Sequence, residues 1–266
     1  MHPPRNLLAT ACVPRGAGVA RHAFPCLLAL LFAAAAAATG GHSYVPALDM
    51  QPLCGPGMAS GAARLAAAVS FMGMWMTMMT AMMLPSLAPA LCRYRRAVGP
   101  AGSLRAGLLA GWAGVGYFCA WVWPGMAIYC AIAILADAQT QWPALAGMAA
   151  YASGMLLVLA GAIQCSDWKA AHLSRCRQGT PASPPALVLY AWRHGWRLGR
   201  HCLRSCASYT LVLLGTGIMD PRAMVAVTVA ITVERLAPAG PRWARGAGAA
   251  MAAAGLALLV RASGAA

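Results

Sequence analysis

The stretch Phe71–Pro85, FMGMWMTMMTAMMLP, is unusually rich in methionine and free of charge. Seven methionines fall within the twelve residues 72–83. The stretch lies inside an uncharged run from Leu65 to Cys92, which is long enough to cross a lipid bilayer as a helix. A thioether is a soft, uncharged ligand suited to Cu(I), and methionine is also a flexible filler of gaps between helices. The methionines therefore allow two interpretations, metal binding or packing.

The methionine stretch is predicted to be a helix with two adjacent sulfur-bearing faces. The first face carries Met72, Met76, Met79 and Met83, and the second carries Met74, Met78 and Met82. Pro85 and Pro89 follow, and each removes a backbone hydrogen bond and bends or breaks the helix. Backbone carbonyls freed within a membrane need another partner. For the methionines taken alone, core packing is the favoured interpretation, and their density along the helix keeps a metal site open as the alternative.

The composition predicts a membrane protein. The chain has 266 residues, of which 61% are hydrophobic and 9% charged, and its mean hydropathy is +0.63. Soluble domains carry about 25% charged residues. The formal net charge is +15, but the arginines are divided among several loops rather than gathered in one patch. Basic loops beside membrane spans follow the positive-inside rule, so we predict no nucleic-acid partner.

The apolar segments predict an all-α fold, a polytopic transmembrane helical bundle with about six or seven spans. The predicted spans are 24–39, 65–91, 106–135, 142–163, 205–219, 224–236 and 246–260. Residues 1–40 are interpreted as a basic N-terminal segment with a first span or a signal sequence, 41–64 as a non-cytoplasmic loop, and 65–260 as the membrane domain. Within that domain, the polar segment 164–204 is predicted to be a cytoplasmic loop.

The arginine distribution sets the expected location and orientation. Every heavily basic loop falls on one side, which predicts a multi-pass protein of the bacterial inner (plasma) membrane, in contact with the lipid bilayer. The N-terminus is then cytoplasmic if the first span is retained, and the C-terminus is non-cytoplasmic. Pro221 suits the first turn of a helix. Gly107, Gly111, Gly114 and Gly116 predict close helix packing.

Three groups of ligand-type residues fall on the predicted cytoplasmic side. His172 and Cys176 are four residues apart and would share a helical face, and the same spacing separates Cys202 from Cys206. Thiols on that side stay reduced, which argues against a disulfide framework and allows a thiolate metal site. An intramembrane carboxylate such as Glu234 is costly and usually functional. The alternatives are a solvated basic loop with incidental Cys and His, and a Glu234 that only pairs with Arg235.

The absence of familiar catalytic patterns predicts that the chain is not an enzyme. No histidine lies within a predicted span from Leu65 onward, which argues against a bis-histidine haem in the bilayer. No phosphate-binding loop, serine-hydrolase motif or zinc-protease motif occurs. One lysine and five carboxylates leave little material for acid–base chemistry.

Several motifs, in order along the chain, resemble a bacterial family of predicted metal-binding integral membrane proteins, a domain of unknown function. The first is W-x-x-M-x-x-A-M-M-x-P, formed by Trp75, Met78, Ala81, Met82, Met83 and Pro85. Lys169, His172-Leu173 and Cys176-Arg177 are similar to the family's K-x-x-C-L-x-x-C-R, with His172 in place of its first cysteine. Gly199, Cys202-Leu203 and Cys206 resemble its G-x-x-C-L-G-C-C-W, with Arg204, Ser205 and Ala207 as departures. Glu234-Arg235 is similar to its Glu-Lys pair. The resemblance covers about 61–255.

The resemblance implies metal binding, and with the residue chemistry it predicts a metal-binding membrane protein that handles a transition metal. Copper is favoured and zinc is the alternative. The candidate metal ligands are Met78, Met82, Met83, His172, Cys176, Cys202, Cys206 and Glu234. A pocket lined by Met82, Met83, Gln164, Cys206 and Glu234 is expected in the cytoplasmic half of the membrane. Two alternatives stay open, a non-metal assembly or structural factor with a membrane-protein partner, and a small-solute transporter.

Overall fold

The structure, a computed structural model, describes residues 19–43, 61–99, 103–142, 145, 148–177, 185–218, 220–237 and 239–264. In these ranges the chain forms eight α-helices and no strand. They are α1 (Val19–Ser43), α2 (Gly61–Val98), α3 (Leu104–Gln141), α4 (Ala149–Cys165), α5 (Asp167–Arg177), α6 (Val188–Thr216), α7 (Pro221–Leu236) and α8 (Gly240–Gly264). The predicted all-α class is confirmed.

Three of the described helices are long and apolar enough to cross a membrane. They are Arg64–Val98 in α2, Leu104–Gln141 and Gly240–Gly264. Helices α4 and α5 together make a fourth candidate, bent by 65° between them. The six or seven spans expected from the sequence therefore stay a prediction, since α6 and α7 do not meet the same length and composition test.

The predicted loop 164–204 is largely helical. It contains α5 and the first half of α6, which begins at Val188. In α6 the arginines Arg193, Arg197 and Arg200 are exposed, while small residues on the other face are buried. The arginines thus mark the polar face of a helix. Most of the predicted loop 41–64 lies outside the described residues, as do residues 1–18 and Met219.

Helix ends follow local sequence signals at two places. Ser103 caps α3 by accepting a hydrogen bond from the Ala106 backbone N–H at 3.4 Å. Asp220 caps α7 by accepting from the Arg222 backbone N–H at 2.9 Å, and Pro221 is the first residue of that helix. The prediction that Pro221 begins a helix is confirmed. Gly217, with φ of 111°, ends α6 in a conformation that glycine adopts without strain.

The helices pack around α2, α3 and α6. Helix α3 lies between α2 and α6, and α4 lies between α6 and α8. Helix α1 packs on α2, and α7 contacts α2, α6 and α8. The C-terminal halves of α2 and α6 therefore share one core with α7, which positions the candidate site.

Glycines let α3 and α6 approach to backbone contact. A Cβ atom added at Gly116 would lie 2.2 Å from the Trp192 backbone oxygen, and one added at Gly195 would lie 1.8 Å from the Ala113 backbone oxygen. Such close approach through small residues is typical of membrane helices. The glycine prediction was wrong for Gly107 and Gly111, which have nothing within 4 Å of an added Cβ.

Candidate functional site

The second half of the methionine stretch lies in the protein core. Met78, Met79, Met82 and Met83 are buried, whereas Met72, Met74 and Met76 are half-buried. Helix α2 continues through Pro85 and Pro89. Just beyond Pro85, the Ser86 hydroxyl donates to the Met83 backbone carbonyl at 3.0 Å, which gives that carbonyl a side-chain partner. Because the Met83 side chain is buried, its thioether lies in the interior beside the other helices.

Three sulfur atoms from α2 and α6 lie close together in the core. Cys202 Sγ lies 3.8 Å from Met83 Sδ and 3.9 Å from Cys206 Sγ. Cys202 is 0% exposed, and Cys206 and Met83 are each 2% exposed. We call these three residues the sulfur cluster. Cys202 and Cys206 share a face of α6 because they are four residues apart, as the sequence predicted.

The two sulfur–sulfur distances that centre on Cys202 match those expected between ligands of one soft metal ion. A metal–thiolate bond is about 2.3 Å long, so three sulfurs around a central ion in a plane lie about 4.0 Å apart. The observed 3.8 Å and 3.9 Å come close to that value before any adjustment. Two thiols and a thioether are ligands of the type that Cu(I) prefers.

Two residues that the sequence analysis did not select donate hydrogen bonds to the cluster. The Tyr117 hydroxyl donates to Cys202 Sγ at 2.7 Å. The Arg235 guanidinium donates to Cys202 Sγ at 2.5 Å and to Cys206 Sγ at 3.5 Å, and its other arm donates to the Ser86 hydroxyl at 3.1 Å. A cation and two donors aimed at these sulfurs stabilise the thiolate, the form that binds metals.

Glu234 belongs to a buried polar cluster beside the sulfurs. Its carboxylate forms an ion pair with Lys169 at 2.9 Å and accepts hydrogen bonds from the Tyr209 hydroxyl and the Gln164 amide. The Gln164 amide oxygen accepts from Lys169 and from Ser208. These contacts join α4, α5, α6 and α7, so the structure gives Glu234 an anchoring position.

His172 lies beside His201, which is not among the predicted metal ligands. Its Nδ1 lies 3.5 Å from Nδ1 of His201, with ring centroids 5.7 Å apart, and its ring packs edge-on against Trp168. Burial lowers the pKa of His201, and His172 and the nearby arginines lower it further, which favours the neutral imidazole. A signal was available in the sequence, since His201 directly precedes Cys202.

The other predicted metal ligands with sulfur atoms lie in the same core as the sulfur cluster, but no hydrogen bond in the described part of the chain joins their sulfurs to it. Cys176 is buried in the same core as Cys202 and Cys206, and so are Met78 and Met82. Cys165, Cys176, Cys202 and Cys206 are free thiols, whereas Cys92 is disulfide-bonded, which the sequence analysis did not predict. Among the described residues, no group of three or more His, Cys, Asp or Glu side chains could hold a metal ion. The sulfur cluster depends on a methionine as its third member.

The expected convergence of three helices is present. Met83 of α2 contacts Cys202 of α6, and Arg235 of α7 contacts Ser86 of α2 and both thiols. Of the five residues expected to line one pocket, Met83 and Cys206 belong to the sulfur cluster, and Gln164 and Glu234 belong to the polar cluster. Met82 is buried beside Met83, so neither methionine faces outward.

Two thiols and a thioether buried next to one another are ligands of the type that soft metal ions prefer. The PpoB2 family, described as a copper chaperone, matches residues 72–258. Since the match spans most of the chain and includes the whole sulfur cluster, the chain belongs to this copper chaperone family. This confirms a copper-related family and copper handling. No curated protein and no solved structure matches the chain.

Proposed function

We propose that this protein is an integral membrane copper chaperone that carries Cu(I) on Met83, Cys202 and Cys206. The observation that carries the proposal is the meeting of these three buried sulfurs at 3.8 Å and 3.9 Å. The copper ion is cargo, received at this site and passed to a partner protein. The chain has no catalytic role in this proposal.

The charges around the cluster support a singly charged soft ion. Cu(I) with two thiolates and a neutral thioether has a net charge of minus one. The Arg235 guanidinium, which contacts both thiols, brings the sum to zero. Since an uncompensated charge is costly in a buried site, a divalent ion in place of Cu(I) would leave an excess positive charge there.

The ligand type favours copper over zinc. Zinc in structural sites is held by four Cys or His ligands in a tetrahedron, and a thioether is a poor substitute for any of them. Cu(I) accepts thiolate and thioether sulfur together. Met78, Met82 and Cys176 extend the set of soft ligands along α2 and α5, and Glu234 serves the site by holding α7 and thus Arg235 in place.

The outer surface supports placement in a membrane. Large apolar side chains point outward along α3, among them Leu104 at 79%, Trp123 at 73% and Ile134 at 69% exposure. A soluble monomer rarely exposes contiguous apolar surface of this extent. In the proposed arrangement these side chains contact lipid in the inner membrane, and the arginine-rich helix ends face the cytoplasm.

Metal analysis of the purified protein tests the proposal. The full chain would be purified in detergent, loaded anaerobically with Cu(I) in the presence of a competing chelator, and measured by plasma mass spectrometry. We expect bound copper in the wild type and its loss in the Cys202→Ser/Cys206→Ser variant, because both thiolates bind the ion. The matched control, Cys130→Ser/Cys165→Ser, removes two exposed free thiols and should retain copper.

The opposite result would be equally clear. Equal copper binding in both variants would remove the sulfur cluster from the site. No copper binding in the wild type would make packing the better account of the methionines and favour the assembly-factor alternative.

A further inference from the structure

Two imidazoles meet at the junction of α5 and α6, and nothing in the sulfur cluster accounts for them. His172 Nδ1 and His201 Nδ1 are 3.5 Å apart. His172 is buried and His201 is half-buried, and the Trp168 ring packs edge-on against His172 at a centroid distance of 4.8 Å. At this distance one Nδ1–H can donate to the other Nδ1, with the tautomers deciding which ring is the donor.

We propose that His172 and His201 form a second copper site, at which the cargo is exchanged on its way to or from the sulfur cluster. A metal–imidazole bond is about 2.0 Å long, so two nitrogens on one ion lie about 3.3 Å apart at a tetrahedral angle and about 4.0 Å apart when opposite. The observed 3.5 Å lies within that interval. This inference rests on the proposed function, since it assumes copper as the cargo.

The position of the pair along the chain connects it to the thiols. His172 is four residues before Cys176 on α5, so the two side chains share a face one helical turn apart. His201 directly precedes Cys202 on α6. His201 is half-buried while Cys202 is 0% exposed, so solvent reaches the imidazole of His201 more readily than the neighbouring thiol.

The charges around the pair make it a weak site, as an exchange site needs to be. Arg175 and Arg204 act electrostatically on both histidines, and neither imidazole contributes a negative charge. A cation is therefore held less firmly here than between two thiolates beside one arginine. The difference in ligand charge favours movement of Cu(I) from nitrogen to sulfur.

The transfer is a ligand exchange without redox chemistry. Copper remains Cu(I) throughout, the copper–nitrogen bonds break, and copper–sulfur bonds form to Cys202 and Cys206. Any thiol that is protonated at that moment releases its proton to solvent when it binds. Cys176 lies in the same core as the receiving thiols and is the nearest chain neighbour of His172 that offers a soft ligand.

X-ray absorption of the Cu(I)-loaded full chain in detergent tests the inference. In the wild type the first copper ion should show sulfur ligands, and a second ion should add nitrogen ligands. The His172→Gln/His201→Gln variant should lose the second ion and keep the first. The matched control is His194→Gln, which changes a histidine on the same helix that stacks on Tyr94 at 5.0 Å; it should keep both.

A rate measurement gives a second readout that does not depend on the affinity of the weak site. Copper would be supplied as a Cu(I)–chelator complex, and its arrival at the cluster would be followed by the thiolate-to-copper absorption band. We expect slower loading in His172→Gln/His201→Gln than in the wild type and in His194→Gln. Circular dichroism of each variant shows that it is folded.

The outcomes separate this inference from the proposed function. Absence of nitrogen-bound copper in the wild type, or loading of the histidine variant at the wild-type rate, overturns the exchange site and leaves the sulfur cluster intact as the chaperone site. A histidine variant that melts at a lower temperature yet binds and loads copper normally shows a structural pair and also overturns the exchange site. Absence of sulfur-bound copper in the wild type overturns the proposed function itself.

Discussion

Arg235 links the charge of the sulfur cluster to its position in the fold. It donates to Cys202, Cys206 and Ser86, so one side chain of α7 joins α2 to α6. Adjacent Glu234 pairs with Lys169. Glu234 and Arg235 therefore belong to different clusters although they are adjacent in the chain. The sequence around them does not predict this, because their partners come from other helices.

Replacing Arg235 with Gln should weaken Cu(I) binding at the sulfur cluster. Hydrogen bonds to a charged group contribute about 1.5–3 kcal/mol, which corresponds to about a ten- to hundredfold rise in Kd. Competition with a Cu(I) chelator would measure it. Arg235→Lys keeps the charge and should be intermediate, and Arg222→Gln, an exposed arginine on the same helix, should have no effect. Unchanged affinity in Arg235→Gln would remove the arginine from the site.

The Lys169–Glu234 ion pair supports a separate prediction about stability. Lys169 is 1% exposed, so Glu234→Gln leaves a buried ammonium group without its carboxylate. Breaking a buried pair from one side costs about 3–5 kcal/mol, whereas replacing both members is far less harmful. We expect a large loss of thermal stability in Glu234→Gln and recovery in Lys169→Met/Glu234→Gln. Metal analysis of the double variant adds a second readout. Retained copper would agree with a structural role for Glu234, and lost copper would indicate that Glu234 is a metal ligand.

At the scale of the helix, the contact between α3 and α6 depends on the absence of side chains. Gly116→Ala or Gly195→Ala would force a methyl group into a backbone carbonyl of the facing helix. Overpacking of this kind costs about 1–3 kcal/mol, and it should also move Tyr117 and Cys202 apart, since they lie on these two helices. Thermal unfolding in detergent would measure the loss. Gly111→Ala, which meets nothing within 4 Å, should change stability by less than about 0.5 kcal/mol.

The helices were predictable from the sequence to different degrees, for physical reasons. Helix α7 begins at Pro221 because a capping Asp220 and a proline are local signals. The first half of α6 is harder to predict because its arginines dominate the local sequence and mask the helical spacing of its small buried residues. The four-residue spacing of Cys202 and Cys206 predicted their contact, since that contact lies within one helix. The partners of His172 and Lys169 come from other helices, and spacing along the chain carries no information about them.

At the scale of the whole molecule, the expected orientation can be tested with reporter fusions. We predict that the segment after Gln141 is outside, residues 178–184 are inside, the turn near Gly217 is outside and the C-terminus is outside. Alkaline phosphatase fusions are active outside and fluorescent-protein fusions are fluorescent inside, so the two report opposite locations. Reporters at 178–184 and near Gly217 on the same side would mean that α6 does not cross the membrane and would leave fewer spans than six or seven.

The near-complete burial of the sulfur cluster has a kinetic consequence for whatever ion it holds. With Cys202 0% exposed and Met83 2% exposed, these sulfurs offer almost no surface to solvent, which makes water a poor replacement for a departing ligand. Release of the ion then requires a ligand atom from an acceptor molecule, and this atom binds the ion before its last bond to sulfur breaks. The residence time of the ion is therefore set by how often an acceptor molecule meets the site, and not by spontaneous dissociation. A protein with such a site would keep its bound ion even when almost no free ion is present in solution. It would release the ion on contact with an acceptor.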